Sequence, residues 1–241
     1  MSEGALPPVI MSGASTLEHL PPFPVSLTVP TGWTQAVTRG DLTFLMHQEL
    51  GAVVFLHAGI YGRFEPLLGR LAAILDQFVE NAYPVGEPDH GDIEGTPAMV
   101  VAFHGKARSG DEIAIQVCVL LSPEGLGAVV GGIAPLDSAD AIIRDVNQLA
   151  ASVRFGALDE NPELRGPLVG TWRHEDGPAF AFRPDGSFHF TAPGEGEVGG
   201  RFLVLGGHLV LAGEDGSSAQ TLAVTPDRLT IGDAEYHRAG S

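Results

Sequence analysis

The chain carries 9 histidines and 30 carboxylates in 241 residues, raw material for acid–base or metal chemistry, so spacing decides whether it has a site. His104, in AFHGKARSGDE, stands close to Asp111 and Glu112, and a histidine held against a carboxylate can act as a general base. Hydrolysis by that route also needs a nucleophile. There is no Gly-x-Ser-x-Gly elbow, and the single cysteine, Cys118, lies inside the apolar run EIAIQVCVLL, where a thiol is buried and inert. His47 and His57, like His104, fall near strand ends and have no companion nucleophile. The stretch GEPDHGDIEG gathers Asp89, Asp92 and Glu94 around His90, yet it lacks the Asp-x-Asp-x-Asp-Gly order of a calcium loop and reads as a solvated acidic loop. His174, His189, His208 and His237 lie in the last third of the chain. Three of them, His189, His208 and His237, fall on strand faces opposite the apolar set, and zinc binding would require neighbouring strands to align them. Without any His-x-His or Cys-x-x-Cys spacing, they read as exposed strand histidines. EGLGAVVGG superficially matches a dinucleotide-binding turn, but the fingerprint demands a helix directly after it, and AVVGGIAP runs on as a strand. No catalytic residue, metal ligand or cofactor is therefore assigned.

The elements that would position such residues are legible in the pattern. Alternation in FPVSLTVP, then WTQAV, LTFLMHQ and AVVFLHA, predicts strands, the last two joined across Glu49–Gly51. In FEPLLGRLAAILDQFVENA, the residues Phe64, Leu67, Leu68, Leu71, Leu75 and Phe78 recur at helical spacing, with Pro66 in the tolerant first turn. Tyr83-Pro84 and a loop VGEPDHGDIEG are expected to end that helix. Strands PAMVVAFHG, EIAIQVCVLLS and LGAVVGGIA follow. A second helix, capped by Asp137 or Ser138, carries a stripe of Ile142, Val146, Leu149 and Val153 widened by Ile143 and Ala150. Meandering strands with two packed helices make residues 23–155 an α+β domain on an antiparallel sheet. Residues 1–22, rich in Pro, Ser and Gly, read as a loosely ordered lead, and GALDENPELRGP, 156–167, as a linker. Eight short strands from GTWRHE to EYHR, separated by Asp-Gly, Gly-Gly and Pro-Asp turns, make 168–238 an all-β meander closing into a small barrel.

Two resemblances rest on these stretches. VSLTVPTGWTQAV, the strand–helix–strand order and the closing IIRDVNQLAASVRF make residues 23–155 similar to the PsbP-like fold, shared by photosystem subunits, a Ran-binding import factor and chaperones of type VI secretion effectors. That resemblance implies a binding or scaffolding role, no catalytic residues, and one sheet face under the helices. The consecutive apolar positions of MVVAF and AIQVCVLL raise the alternative that both faces are covered. LVGTW, FRPDGSF, GRFLVLGGHLVL and LTIGDAEYHR make residues 168–238 resemble small bacterial lipocalin-like domains. Trp172 then takes the place of the tryptophan that plugs one barrel end.

Side chains alternate across a strand, so Phe180 and Phe182 share a face, as do Phe188 and Phe190. With Trp172 and Tyr236 they are the candidate ligand-binding residues if the barrel is a cup. A barrel of about eight strands is ordinarily filled by its own side chains, and that filled interior is the preferred expectation. Composition narrows the partners. With 13 Lys+Arg against 30 Asp+Glu, a formal charge of −17, and a lone Lys106 among scattered arginines, nucleic acid and anionic membranes are excluded as natural partners. No run reaches the roughly 20 apolar residues of a membrane helix. The absence of a secretion signal and of paired cysteines points to the cytoplasm. The sequence is thus read as a non-enzymatic protein-interaction or chaperone-like module with another protein as partner, Trp33, Phe44 and Phe103 being candidates for a contact face. The alternative is a carrier of a small apolar ligand in the barrel.

Overall fold

In the computed structural model the described residues are 15–17, 20, 22–39, 41–194, 196–214 and 216–239, and the chain divides into two compact units, 1–156 and 157–241. The first unit begins with β1 (Ser15–Leu17) and β2 (Val25–Val29), then the meander β3 (Thr34–Arg39), β4 (Leu42–His47) and β5 (Ala52–Ile60). Helix α1 (Phe64–Phe78) leads into β6 (Val79–Pro84), β7 (Asp89–Ile93), β8 (Thr96–Ala107), β9 (Glu112–Leu121) and β10 (Leu126–Pro135). A 3-10 turn at Leu136–Ser138 precedes α2 (Ala139–Ala151), and β11 (Arg154–Phe155) closes the unit. The large antiparallel sheet has the order β3-β4-β5-β10-β9-β8-β6, with β7 also pairing β8, while β1, β2 and β11 form a small sheet of their own. The unit is α+β, as the pattern of its sequence requires.

Three local expectations are corrected. Of the lead, residues 1–14, 18, 19 and 21 lie outside the described residues, but Ser15–Leu17 is a strand in register with Val29–Leu27. Residues 85–95, expected as a loop, contain β7, whose Asp89–Ile93 pairs with Val100–Thr96. The ladder offered by β8 overrides the poor strand propensity of Asp and Gly there, and a tight turn at Glu94-Gly95, both at positive φ, closes the hairpin. The first helix accordingly ends at Phe78, where its apolar spacing ends and before the stop expected at Tyr83-Pro84, because Val79 already pairs with Ala107.

The helices lie on opposite faces of the large sheet. Leu67, Leu71, Ile74 and Leu75 of α1 share one core with Ile113, Ile115, Val117, Val119 and Val129. Alternation sends Gln116 and Cys118 to the other side, where the Asn147 amide oxygen of α2 accepts from the Gln116 amide at 3.3 Å and from the Cys118 thiol at 3.4 Å. So the sheet does not have both helices on one face, and its central strands β9 and β10 are buried almost throughout. That is why their apolar residues run consecutively instead of alternating. Gly132 permits the close approach of α2: a Cβ there would stand 2.5 Å from Val146 Cγ2 and 2.7 Å from Ile142 Cδ1. Gly132→Val is expected to lower stability by about 1–3 kcal/mol through overpacking, read as a lower denaturant midpoint with unchanged slope. An unshifted midpoint would mean that α2 is not seated there.

The second unit starts with α3 (Pro162–Leu168), inside the stretch expected as a bare linker. The Asn161 side-chain oxygen accepts from the Glu163 and Leu164 amides, Pro162 opens the first turn, and Leu168 is buried, so capping and one apolar anchor suffice without a long periodic stripe. Then come β12 (Gly170–Arg173), β13 (Ala179–Phe182), β14 (Ser187–Thr191), β15 (Val198–Leu205), β16 (His208–Gly213), β17 (Gly216–Val224), β18 (Arg228–Ile231) and β19 (Ala234–Arg238). Each pairs antiparallel with the next, and β12 with β19, giving a closed eight-stranded barrel.

Candidate functional site

The barrel interior holds the aromatic set expected of it. Trp172, Phe180, Phe182, Phe188 and Tyr236 are buried in one core with Phe202, Val204 and Leu209, and Phe190 packs against that core partly buried. These rings contact one another: Phe180 lies 5.3 Å from Phe182, 4.6 Å from Phe190 and 5.4 Å from Tyr236, and Phe182 lies 5.0 Å from Phe202. The Trp172 indole donates to the Leu168 carbonyl at 2.8 Å, and the Arg238 guanidinium lies over its ring at 4.2 Å from the centroid.

The histidines do not converge. His189, His208 and His237 stand on β14, β16 and β19, no two of which are neighbours in the barrel. His189 instead meets Glu197 at 2.7 Å and His237 meets Glu235 at 3.6 Å. Among the described residues no group of three or more His, Cys, Asp or Glu side chains is placed to hold a metal ion. In the first unit, His104 pairs across strands with Tyr83 and Ala114, while Glu112 faces Lys106. Cys118 is buried, and burial pushes its thiol up to about 12, away from any nucleophilic role.

A polar network that spacing did not reveal links β5 to α1. His57 is buried; its Nδ1 lies 3.1 Å from an Asp41 carboxylate oxygen and its Nε2 lies 2.6 Å from the Tyr61 hydroxyl. One tautomer satisfies both contacts, Nδ1–H donating to Asp41 and the Tyr61 hydroxyl donating to Nε2. Arg70 of α1 reaches both Asp41 oxygens at 2.6 Å. Burial alone would raise the Asp41 carboxyl, but its hydrogen bonds to His57 and Arg70 outweigh that and hold it well below the usual carboxylate range. Burial pushes the Tyr61 phenol up to about 12. The connectivity is that of a general-base relay, but Tyr61 and His57 are 2% and 1% exposed, so no substrate reaches the relay. It is a brace between the helix and the sheet. Its members span residues 41 to 70, and only the fold brings them together.

The open site lies elsewhere, where α2 leaves the sheet uncovered. Ile142, Val146, Leu149 and Ala150 of α2 are buried, while Leu136, in the 3-10 turn before it, and Ile143, one turn ahead of Asn147, are 40% and 36% exposed. Ile143, expected to widen the buried stripe, thus faces solvent, because the stripe is centred on Ile142 and Val146. On the same side of the sheet, Val100, Ala102 and His104 of β8 are only half-buried, whereas Met99 and Val101, beneath α1, are buried. β6 contributes Tyr83. One extra residue between Glu80 and Tyr83, with Asn81 at φ 55°, bulges the strand. The bulge puts Tyr83 opposite His104 on the face that Glu80 and Lys106 already share. Tyr83 is 58% exposed, its ring 6.1 Å from His104. Tyr83, His104, Lys106, Glu112 and Leu136 line a cleft of about 300 Å3. A second cleft of about 620 Å3 shares Glu112, Ile113 and Leu136 with it and adds Asp111, Ile133 and Asp137; its Ile113, Ile133 and Ala107 belong to the core beneath α1, so it opens at the end of the sheet rather than on the α2 face. Of the residues expected at a contact face, Trp33, Phe44 and Phe103, the first is fully enclosed and the other two are partly buried. Trp33 is buried, its indole donating to Asp145 at 3.0 Å, and Phe44 and Phe103 pack against the core beneath α1.

No family model matches the chain. No curated protein matches it either. Among solved structures the chain is similar to the solution structure of cyanobacterial PsbP from Synechocystis sp. PCC 6803, at 10% identity and a TM-score of 0.45, over 64% of this chain and 99% of that one. No described helix is long and apolar enough to cross a membrane.

Proposed function

We propose that the protein is a cytoplasmic, non-enzymatic protein-interaction module, a PsbP-like unit followed by a lipocalin-like barrel, and that its docking surface is the uncovered strip beside α2. The observation that carries this reading is the exposure of Tyr83 and Leu136, which line one cleft, together with that of Ile143 on the neighbouring flank of α2. Apolar and aromatic side chains grouped at a concavity are what partners bury as anchors. In the barrel, the self-contacting aromatics favour a filled interior over a ligand cup. A photo-crosslinking amino acid at position 83 or 136, in the cells that make the protein, is expected to capture the same polypeptide. The same probe at position 77, on the exposed side of α1, is expected to capture none. Equal capture from position 77, or none from 83 and 136, would refute the docking surface.

A further inference from the structure

Resting on that docking surface, we infer that its occupant is a cationic amphipathic helix of another protein, lying alongside α2 over the bare face of β8 and β6. Geometry favours a helix. Packed helices lie about 8–10 Å apart, close to two strand spacings of about 4.8 Å. Because α2 sits over β9 and β10, as its contacts to Gly132 and Gln116 require, a neighbouring helix falls over β8 and β6. That is the strip where Val100, Ala102 and His104 are incompletely buried and Tyr83 stands exposed. Leu136, in the 3-10 turn that leads into α2, and Ile143, in the first turns of α2, are the exposed apolar side chains that a partner helix meets with its own apolar stripe. α2 has 13 residues, about 20 Å of helix at 1.5 Å per residue, which sets the length of segment it can accompany.

Charge selects the class. Lys106, the chain's lone lysine, stands between Glu80 and Glu112 as their cross-strand partner, so its charge is already opposed on both sides. Asp111 and Asp137 line the adjoining cleft, and Asp140 extends the acidic rim along α2. The nearest arginines are engaged elsewhere: Arg108 donates to the Asp76 carbonyl at the end of α1, and Arg144 pairs with Asp145 on the far flank of α2. An apolar floor with a carboxylate rim is complementary to a helix with leucine-like anchors on one face and Lys or Arg beside them.

The probe is a fluorescently labelled 18-residue helical peptide with Leu on one face and Lys on the other. It is compared, by anisotropy against the whole protein, with the same pattern carrying Glu for Lys and with a scrambled Leu/Lys peptide. The Leu/Lys peptide is expected to bind at least tenfold tighter than either control and to weaken as salt rises. Glu112→Lys combined with Asp137→Lys is expected to weaken it at least tenfold. Tyr83→Asp separates docking from diffuse attraction. It adds negative charge, so a merely electrostatic association with this acidic chain would strengthen, whereas an anchor lost from the floor weakens binding at least tenfold. Tyr83 is exposed enough for the variant to keep its fold, which circular dichroism checks. Undiminished binding to Tyr83→Asp, or equal binding of the scrambled peptide, overturns the inference. If the Leu/Glu peptide binds as well as the Leu/Lys one and Tyr83→Asp abolishes both, the cationic class falls and the docking surface stands. If no peptide binds while position 83 still crosslinks in cells, the occupant is not such a helix; if the crosslink is absent too, the docking reading falls with it.

Discussion

Trp172→Ala is expected to strip amide-exchange protection from the eight barrel strands while leaving that of β8, β9 and β10 unchanged. The indole is fully buried in the barrel core, and its N–H satisfies the Leu168 carbonyl at the end of α3. Arg238 covers the ring and donates to the carbonyls of Pro226 at 2.6 Å, Pro167 at 2.6 Å and Val169 at 3.1 Å, so one stacked pair ties the barrel's last strands to the segment that leads into β12. Truncation removes the largest side chain of that core, orphans the Leu168 carbonyl and leaves the guanidinium without its platform. Core Trp-to-Ala changes cost about 3–5 kcal/mol, against a total of about 5–15 kcal/mol for a domain, and a unit this small sits near the lower end. Trp172→Phe keeps most of the volume and loses the hydrogen bond, so an intermediate loss of about 1–2 kcal/mol is expected. The strands of the first unit act as the internal control, since they form a compact unit of their own. Full protection of β12 to β19 in Trp172→Ala would show that the rest of the aromatic cluster holds the barrel by itself.

What was legible in the sequence and what was not divide along one physical line. All eight barrel strands could be read because each alternates under local turn residues, and the aromatic interior followed from that alternation alone, as Phe180 and Phe182 show. Both long helices were legible from their stripes. By contrast β7, DHGDI, has no strand-like composition and exists only because β8 presents a free ladder edge. The strip proposed as a docking surface was hidden for a similar reason. Tyr83 reaches its face through a one-residue bulge, and a bulge inverts the parity on which strand reading depends. Exposure of Ile143 depends on where the helix is seated, whereas periodicity gives only the stripe's approximate width. The burial of Trp33 was not legible either, because aromatic type says nothing about which residues the fold encloses.

The brace of Asp41, His57, Tyr61 and Arg70 has the same non-local origin, and it gives the protein a stability profile with two separable limbs. Asp41 is held below its unfolded value of 3.8, so its contribution is present above that pH and lost as acid protonates it. Tyr61 is displaced the other way, from 10.0 to about 12, so the unfolded chain ionises first; its contribution is complete below pH 10 and disappears as pH rises towards 12. Asp41→Asn is expected to destabilise the first unit by about 1–2 kcal/mol near neutrality, a figure reduced from that of a buried charged hydrogen bond because the carboxylate is partly solvated. The gap from the unaltered protein should then shrink progressively as pH falls below 4, where the unfolded chain takes up a proton that the folded Asp41 still resists. Tyr61→Phe leaves His57 Nε2 buried without a donor, a loss of about 1–3 kcal/mol at neutral pH. It should also remove the tyrosinate absorbance component that titrates near 12. Denaturant midpoints measured from acid to alkali test both limbs. A gap for Asp41→Asn that stays constant through acid would show that the carboxylate's charge plays no part in the brace. Arg70 ties this pair to α1, so the same network decides how firmly that helix is held to the sheet, on the face opposite α2.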